Sequence, residues 1–363
     1  MNFDVSDLYS ATAEIFVAIM ILGIMLATAF VRGIARGLAY SLAQVTLIVA
    51  AFITFFTLDV ESDFAFNNMF VRDQPGGILK LMVYFSMMIA LLYGRGYLAE
   101  RKLDRPEYYL LALLSALGMM VMITANHLLV LYVGLEMMSL SLYALVAFDR
   151  DTVRSTEAGM KYFVLGALAS GLLLYGMSMI YGATGTLELS AVKEAVFDGS
   201  ANMTVLLFGL VFLIAGISFK LGVAPFHMWV PDVYQGAPTA VTLILSSAPK
   251  LAAFALAMRL LAGALPDLAG HWQTMLLLVA ATSIVLGNFA ALIQHNIKRM
   301  LAYSGISHMG FMLLGLLSGG DGTGYSSAMF YAIAYALMTL AAFGMVVLLS
   351  RGVVQRFLKD FFP

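Results

Sequence analysis

The run Ser218-Phe219-Lys220-Leu221-Gly222-Val223-Ala224-Pro225-Phe226-His227-Met228-Trp229-Val230-Pro231-Asp232 decides how this chain is read. It continues through Gly236-Ala237-Pro238-Thr239 to Ala248-Pro249-Lys250. Lysines, prolines and an aromatic cluster stand inside and between segments otherwise apolar enough to span a bilayer. A spanning helix tolerates proline or glycine only where the freed backbone groups find partners in protein or in a wet cavity. A lysine at that depth is costly and marks a functional site by default. The two features together point to an ion pathway, and the rest of the chain is consistent with one.

Of 363 residues, 62% are hydrophobic and 11% charged, with a mean hydropathy of +0.92. Soluble domains carry about 25% charged residues, so the composition is that of an integral membrane protein. A net charge of -1 argues against nucleic acid as a partner. With no cysteine, the chain can form no disulfide, ligate no iron–sulfur cluster through thiolates and use no thiol nucleophile. The acidic start Met-Asn-Phe-Asp-Val-Ser-Asp lacks the basic n-region of a cleaved signal peptide.

Apolar runs of about 20 residues fall near 10–31, 37–58, 77–98, 107–125, 128–148, 156–182, 203–234, 237–262, 272–293, 300–318 and 325–350. These predict an all-α polytopic membrane protein with eleven spans. The seventh is too long for one straight helix and carries Gly222 and Pro225, so it is expected to form two half-helices. In the eighth, Pro238 falls in the first turn, where proline is harmless, and Pro249 falls at the centre, where a kink is expected.

Loop charges give the expected orientation. Arg32, Arg36, Arg95, Arg101, Lys102, Arg105, Arg150, Arg154, Lys298, Arg299, Arg351, Arg356 and Lys359 fall on one side. The other side holds Arg72, Lys80 and Lys193 among acids that include Asp59, Glu61, Asp73, Glu188 and Asp321. The positive-inside rule then makes the N-terminus periplasmic and the C-terminus cytoplasmic. Gly319-Gly320-Asp321-Gly322-Thr323-Gly324 reads as a flexible turn between two spans, not a phosphate cradle.

Subtraction leaves Lys161, Lys220, Lys250 and Arg259 as the unusual cations. Glu136 is the one acid deep in a span, with Glu14 and Glu157 near span ends. Lys250 lies mid-span, with Ser246 and Ser247 on its helical face. A structural ion pair between Glu136 and Lys220 would leave further lysines unneutralised, and buried pairs are weak evidence of stabilisation. A relay fits better. Burial disfavours a charged lysine and a nearby carboxylate favours it, so movement of Glu136 would bias Lys220 toward passing its proton to Lys250.

The remaining titratable residues are less specific. Lys161 sits near the cytoplasmic end of the sixth span, from which it could also snorkel to the interface. Arg259 is expected to snorkel. His308, inside a span and surrounded by hydroxyls, can shuttle protons. His127, His271 and His295 read as ordinary interfacial or loop residues, and His227 is a candidate cap for backbone freed at the break. No spacing matches a metal site. The 25 methionines read as soft packing, and Gly166-Ala167-Leu168-Ala169-Ser170-Gly171 as a surface for close helix contact.

Three motifs carry a family resemblance: Glu-Ala-Gly-Met-Lys-Tyr-Phe-Val-Leu-Gly-Ala at 157–167, the Phe-Lys-Leu-Gly…Pro-Phe-His-Met-Trp…Pro-Asp-Val-Tyr…Gly-Ala-Pro-Thr run at 219–239, and Asn-Ile-Lys-Arg-Met-Leu-Ala-Tyr-Ser at 296–304. Over about residues 10–350 the chain closely resembles the antiporter-like membrane subunits of respiratory complex I, the NADH–quinone oxidoreductase. The resemblance implies inverted five-helix repeats with broken helices near the midplane. On that plan 1–106 is an N-terminal three-helix segment, 107–262 a first repeat forming the input half-channel, and 263–363 an incomplete second repeat.

The resemblance also implies roles: Glu136 and Lys220 as the coupled pair, Lys250 as the central lysine, His308 as a bridging group and Lys161 as an input-side tuner of a proton relay. It implies no cofactor in this chain; NADH, FMN, iron–sulfur clusters and quinone belong to other subunits. The implied partners are a neighbouring antiporter-like subunit, small membrane subunits and the lipid bilayer. An Mrp-type cation/proton antiporter subunit shares the architecture and is an alternative. From Ser350 to Pro363 the sequence departs from the family, and a second broken helix with an exit lysine is not found. A shortened chain, a frameshift or a natural short variant would read alike, and a non-conducting structural subunit is a third possibility.

Overall fold

Buried in hydrocarbon, a chain must satisfy every peptide group internally, and apolar runs of this length do so as helices. The computed structural model describes residues 5–30, 35–58, 62–319 and 323–350. Arg32, Asp59, Glu61, Asp321, Arg351, Arg356, Lys359 and the divergent ending from 351 on lie outside the described residues, as do residues 320–322 of the 319–324 turn.

In chain order the helices are α1 (Val5–Ser10), α2 (Thr12–Phe30), α3 (Ala35–Phe56), α4 (Gln74–Glu100), α5 (Pro106–Thr124), α6 (Leu128–Val146), α7 (Val153–Thr184) and α8 (Leu189–Phe197). They continue as α9 (Met203–Leu221), α10 (Trp229–Gly236), α11 (Thr239–Ser246), α12 (Ala248–Ala257), α13 (Ala269–Leu292), α14 (Ile297–Leu317) and α15 (Thr323–Leu349). A π-helix, Met258–Ala264, follows α12, and a 3₁₀ turn, Pro266–Leu268, precedes α13. Between α3 and α4 lies a short hairpin of β1 (Asp63–Ala65) and β2 (Phe70–Arg72), antiparallel with Phe64 opposite Val71. Its turn uses positive φ at Phe66, Asn67 and Asn68.

Eleven helices among the described residues are long and apolar enough to cross a membrane, close to the expected boundaries. The span Thr239–Ala264 is the central one, with 94% of its most apolar window buried, against 22% for Pro266–Leu292. Peripheral spans turn large apolar side chains outward, including Phe30, Phe289, Leu292 and Phe330. That is the exposure a lipid-facing surface needs.

The seventh span is broken, as expected. α9 ends at Gly222 in the left-handed region, φ +77°, a conformation that costs other residues about 1–2 kcal/mol. Helix resumes at Trp229. In the eighth span the expected kink at Pro249 is a full interruption: Ser247, at φ −114° and ψ −87°, separates α11 from α12, and Pro249 falls in the first turn of the new helix. Proline is acceptable there because it lacks an N–H that would be orphaned anyway. Pro238 is the N-cap residue of α11 rather than part of its first turn.

Glycine sets the closest approach beneath the site. A Cβ on Gly134 of α6 would stand 2.6 Å from the Met122 backbone nitrogen of α5, and one on Gly118 would collide with the Met138 backbone. Side chains larger than hydrogen would separate the two helices. α6 therefore presents its polar face, starting at Glu136, from a fixed position.

Candidate functional site: a buried lysine pair at two helix breaks

Glu136, Ser139 and Tyr143 recur at i, i+3 and i+7 on α6, so they share one helical face. Across from them stands Lys220, in the last turn of α9 and 9% exposed. Its Nζ donates to Ser139 Oγ at 2.8 Å and to Ser170 Oγ of α7 at 3.3 Å. The expected Glu136–Lys220 contact is not closed: no ion pair within 4 Å joins them among the described residues, and Glu136 Oε1 is buried without a hydrogen-bond partner. Hydroxyls stand in for the carboxylate as ligands of the ammonium. Ser170, read as part of a packing stripe, is thus a site residue, and the Tyr143 hydroxyl lies in contact with Gly166 on the same helix. Tyr143 OH and Ser218 Oγ are, like Glu136 Oε1, buried and unpartnered. Such a cluster of buried polar atoms is where bound water belongs.

Lys250 occupies the other side of the α9 break. Its Nζ donates to Leu221 O at 2.7 Å and more weakly to Lys220 O at 3.4 Å. These are carbonyls at the C-terminal end of α9, where an α-helix leaves acceptors orphaned and partial negative charge accumulates. The Trp229 ring lies under the same ammonium, its centroid 5.1 Å away, a cation–π geometry. Trp229 Nε1 donates to Phe219 O at 3.0 Å, and Tyr162 stacks on the indole at 4.6 Å. Gly222 is essential to this approach: a Cβ there would stand 3.2 Å from Lys250 Nζ and 2.7 Å from Val230. Ser246 and Ser247, by contrast, bond back to Leu243 O and do not contact the amine.

The first three backbone N–H groups past the end of α9 can each be followed to a partner. Gly222 N and Val223 N both donate to Ser218 O, and Ala224 N donates to Ser283 Oγ of α13 at 2.9 Å. Ser283 caps Ala224, and His227, the candidate cap, interacts with the Pro225 backbone within the break. His227 offers its carbonyl to Val230 N, while its Nδ1 is buried and unpartnered. Nothing in the local sequence around 283 announced this; the signal is a serine on the one helix face that packs against α9.

Beyond Lys250 the polar groups continue. Thr339 of α15 donates to Ser246 O at 3.3 Å, next to the Ser247 interruption. One turn earlier Tyr335 packs against His308, ring centroids 5.4 Å apart, and His308 Nδ1 is hydrogen-bonded to Tyr331 OH at 2.7 Å. The hydroxyls around His308 are therefore tyrosines of α15, not the neighbouring Ser304 and Ser307.

At the end of the bundle carrying the basic loops, Asp232 of α10 is a hub. It accepts from Lys161 Nζ at 2.9 Å and from Arg299 Nη1 at 2.6 Å. Lys161 also pairs with Glu157 at 2.8 Å, so it does not snorkel freely. Lys298 Nζ donates to Ala237 O at 2.6 Å. In the sequence Lys298 and Arg299 are orientation signals and part of the 296–304 motif; in the fold they also fix the outer end of the broken span. A cavity of about 180 Å³, lined by Arg154, Glu157, Lys161, Asp232 and Gln235, opens here.

Two further readings are corrected. Arg259 does not snorkel: it forms a two-pronged ion pair with Asp73, 2.6 and 2.8 Å, and its Nε donates to Ile123 O. Asp73 is also the N-cap of α4, accepting from Gly76 N. Lys80, placed among loop charges, is buried and pairs with Glu14 at 2.8 Å. Glu136 is therefore not the only acid enclosed within the bundle.

In this fold a lysine of one broken span is thus held by the end carbonyls of another, and the sequence and fold have relatives among known proteins. Residues 125–359 match the family model described as NADH:quinone oxidoreductase/Mrp antiporter, TM. A relative from Azoarcus sp. strain BH72, NADH-quinone oxidoreductase subunit N, is 70% identical over 97% of this chain and 73% of its own length. Among solved structures, respiratory complex I from Thermus thermophilus with bound aureothin contains a chain 34% identical, with a TM-score of 0.78 over 92% of this chain and 70% of that one. An Mrp complex from Dietzia sp. DQ12-45-1b matches with a TM-score of 0.79 at 20% identity over 94% and 65% of the two chains, which speaks to fold alone. This chain belongs to the NADH:quinone oxidoreductase/Mrp antiporter transmembrane family.

Proposed function

We propose that this chain is a proton-translocating membrane subunit of a bacterial NADH–quinone oxidoreductase, multi-pass in the inner membrane. Electron transfer from NADH through FMN and iron–sulfur clusters to quinone takes place on other subunits, and this chain moves protons in response. The 70% identity to a relative named as such a subunit favours this over an Mrp-type antiporter. The observation that carries the mechanism is the position of Lys250 Nζ on the Leu221 carbonyl, one residue from Lys220.

The relay starts at the cavity beside Lys161 and Asp232 on the cytoplasmic side. Protons reach the Glu136, Ser139, Tyr143, Ser170 and Lys220 cluster through water at its unpartnered polar atoms. When the Glu136 carboxylate swings toward Lys220 it favours the ammonium; when it withdraws, Lys220 releases its proton across the break to Lys250. Thr339, Tyr335 and His308 extend the polar line beyond. Segments 1–106, 107–262 and 263–363 serve as the three-helix segment, the input repeat and a partial second repeat, with the N-terminus periplasmic. Neighbouring antiporter-like and small membrane subunits complete the path.

The test uses the assembled oxidoreductase in vesicles. Glu136→Gln should abolish most NADH-driven proton uptake, while Glu136→Asp keeps a reduced rate. Equal pumping in both variants would remove the carboxylate from the mechanism.

A further inference from the structure

The polar side of α8 takes no part in the relay. Leu189, Val192 and Val196 of this helix are buried, while Ser190, Lys193, Glu194 and Phe197 border a cavity of about 540 Å³. Asp198 and the π-helix residues Arg259 and Gly263 border it too. Lys193, Glu194 and Asp198 are exposed, and among the described residues they form no ion pair. A second cavity, of about 330 Å³, shares Arg259 and Gly263 with the first and lies among Leu79, Ile123, Phe254 and Met329. One compartment is charged and the other is largely apolar.

Both compartments sit where spans end. α4 and α15 begin there, α5 ends there, and the π-helix closes the central span. This is the side of the acidic loops. From Gly263 inward to Phe254 the helix advances roughly 13 Å, against about 15 Å for half of a hydrocarbon core. The apolar cavity thus has the depth of one leaflet's chains.

The two compartments meet at Gly263 and Arg259. Outside its own turn, a Cβ built on Gly263 meets only Met258 O, at 3.5 Å, so the space beside it is open. Arg259 donates to both oxygens of Asp73 and, through Nε, to Ile123 O. Of the five N–H groups of a guanidinium, two remain for a ligand.

We propose that the two cavities together hold one phospholipid of the leaflet on the acidic-loop side, with a zwitterionic head carrying a primary ammonium, as in phosphatidylethanolamine. Its phosphate lies against Lys193 and the two remaining N–H groups of Arg259. Its ammonium donates to Glu194 and Asp198. One acyl chain passes Gly263 into the apolar cavity, and the other stays in the bilayer. Two cations and two carboxylates around the head leave no excess charge to select an anionic lipid. A primary ammonium makes charge-assisted hydrogen bonds to the carboxylates, which a quaternary head cannot. The site is independent of the relay.

The test uses the assembled oxidoreductase in nanodiscs doped with a phospholipid that carries a diazirine on one acyl chain. After illumination, peptide mass spectrometry locates the adducts. The ethanolamine lipid should label 254–263 about tenfold more than its choline or glycerol counterparts, the worth of one hydrogen bond to a charged group. Unlabelled phosphatidylethanolamine should compete. Gly263→Leu, which has room for its side chain, should remove the adducts at 254–258. Lys193→Met should lower labelling by all three lipids, and Glu194→Gln with Asp198→Asn should erase the preference for ethanolamine. NADH oxidation by an artificial acceptor confirms assembly of each variant. No adducts at 254–263, equal labelling by the three lipids, stronger labelling by the glycerol lipid, or adducts at 254–258 that persist in Gly263→Leu would each overturn the proposal.

Discussion

Lys250 Nζ lies 2.7 Å from Leu221 O, so the central cation of one broken span serves as the C-terminal cap of another. Two costs are met by one contact. A buried ammonium needs acceptors, and the end of α9 leaves carbonyls without them. Gly222 admits the amine because it adds no Cβ and accepts φ +77°.

Gly222→Ala should therefore displace Lys250 without unfolding the bundle. The left-handed conformation costs about 1–2 kcal/mol and the crowding about 1–3 kcal/mol. The complex should assemble, with NADH oxidation by an artificial soluble acceptor unchanged and proton uptake reduced about tenfold or more.

The hydroxyl ligands of Lys220 should be unequal. Removing one hydroxyl from a buried, charged donor costs about 1–3 kcal/mol. Ser139, at 2.8 Å, should matter more than Ser170, at 3.3 Å. Proton uptake rates of Ser139→Ala and Ser170→Ala, compared side by side, check that order.

Glu14 and Lys80 make a purely structural pair in this account. Glu14→Ala should cost about 3–5 kcal/mol by leaving a buried ammonium unpaired, whereas Glu14→Leu with Lys80→Met should be near neutral. Thermal unfolding of the solubilised complex measures the difference. Proton uptake by the double variant should match the unmodified complex.

Asp232 holds two cations at a partly exposed site, and such pairs contribute about 1 kcal/mol or less to stability. Asp232→Asn should hardly change thermal stability. It should slow proton uptake several-fold by releasing Lys161 and Arg299 at the mouth of the proposed input path.

Much of this was legible in the sequence because bilayer physics leaves few options. The eleven spans follow from hydrocarbon thickness, and the break at Gly222–Pro225 follows from residues no continuous helix accommodates. What escaped depended on pairing across distance in the chain. Arg259 and Asp73 are 186 residues apart, and Glu14 and Lys80 are 66 apart. Each looked like an interfacial charge because it lies near the end of its own helix; helix packing alone supplies the partner. Ser283 and Ser170 were hidden for a different reason. Serine in an apolar span usually bonds its own helix, and only the tertiary contact shows one capping Ala224 and the other holding Lys220. The eighth span looked merely kinked because proline disturbs the preceding turn, whereas the interruption at Ser247 puts Pro249 where a helix begins.

The central claim is that protons pass from the Glu136–Lys220 cluster to Lys250, and Lys250→Met tests it most directly. The measurement is protons translocated per NADH oxidised by the assembled complex in sealed vesicles, with electron input to an artificial acceptor as the assembly control. The account predicts a sharp fall in Lys250→Met and partial recovery in Lys250→Arg, with the control unchanged. An unaltered ratio in Lys250→Met would contradict it.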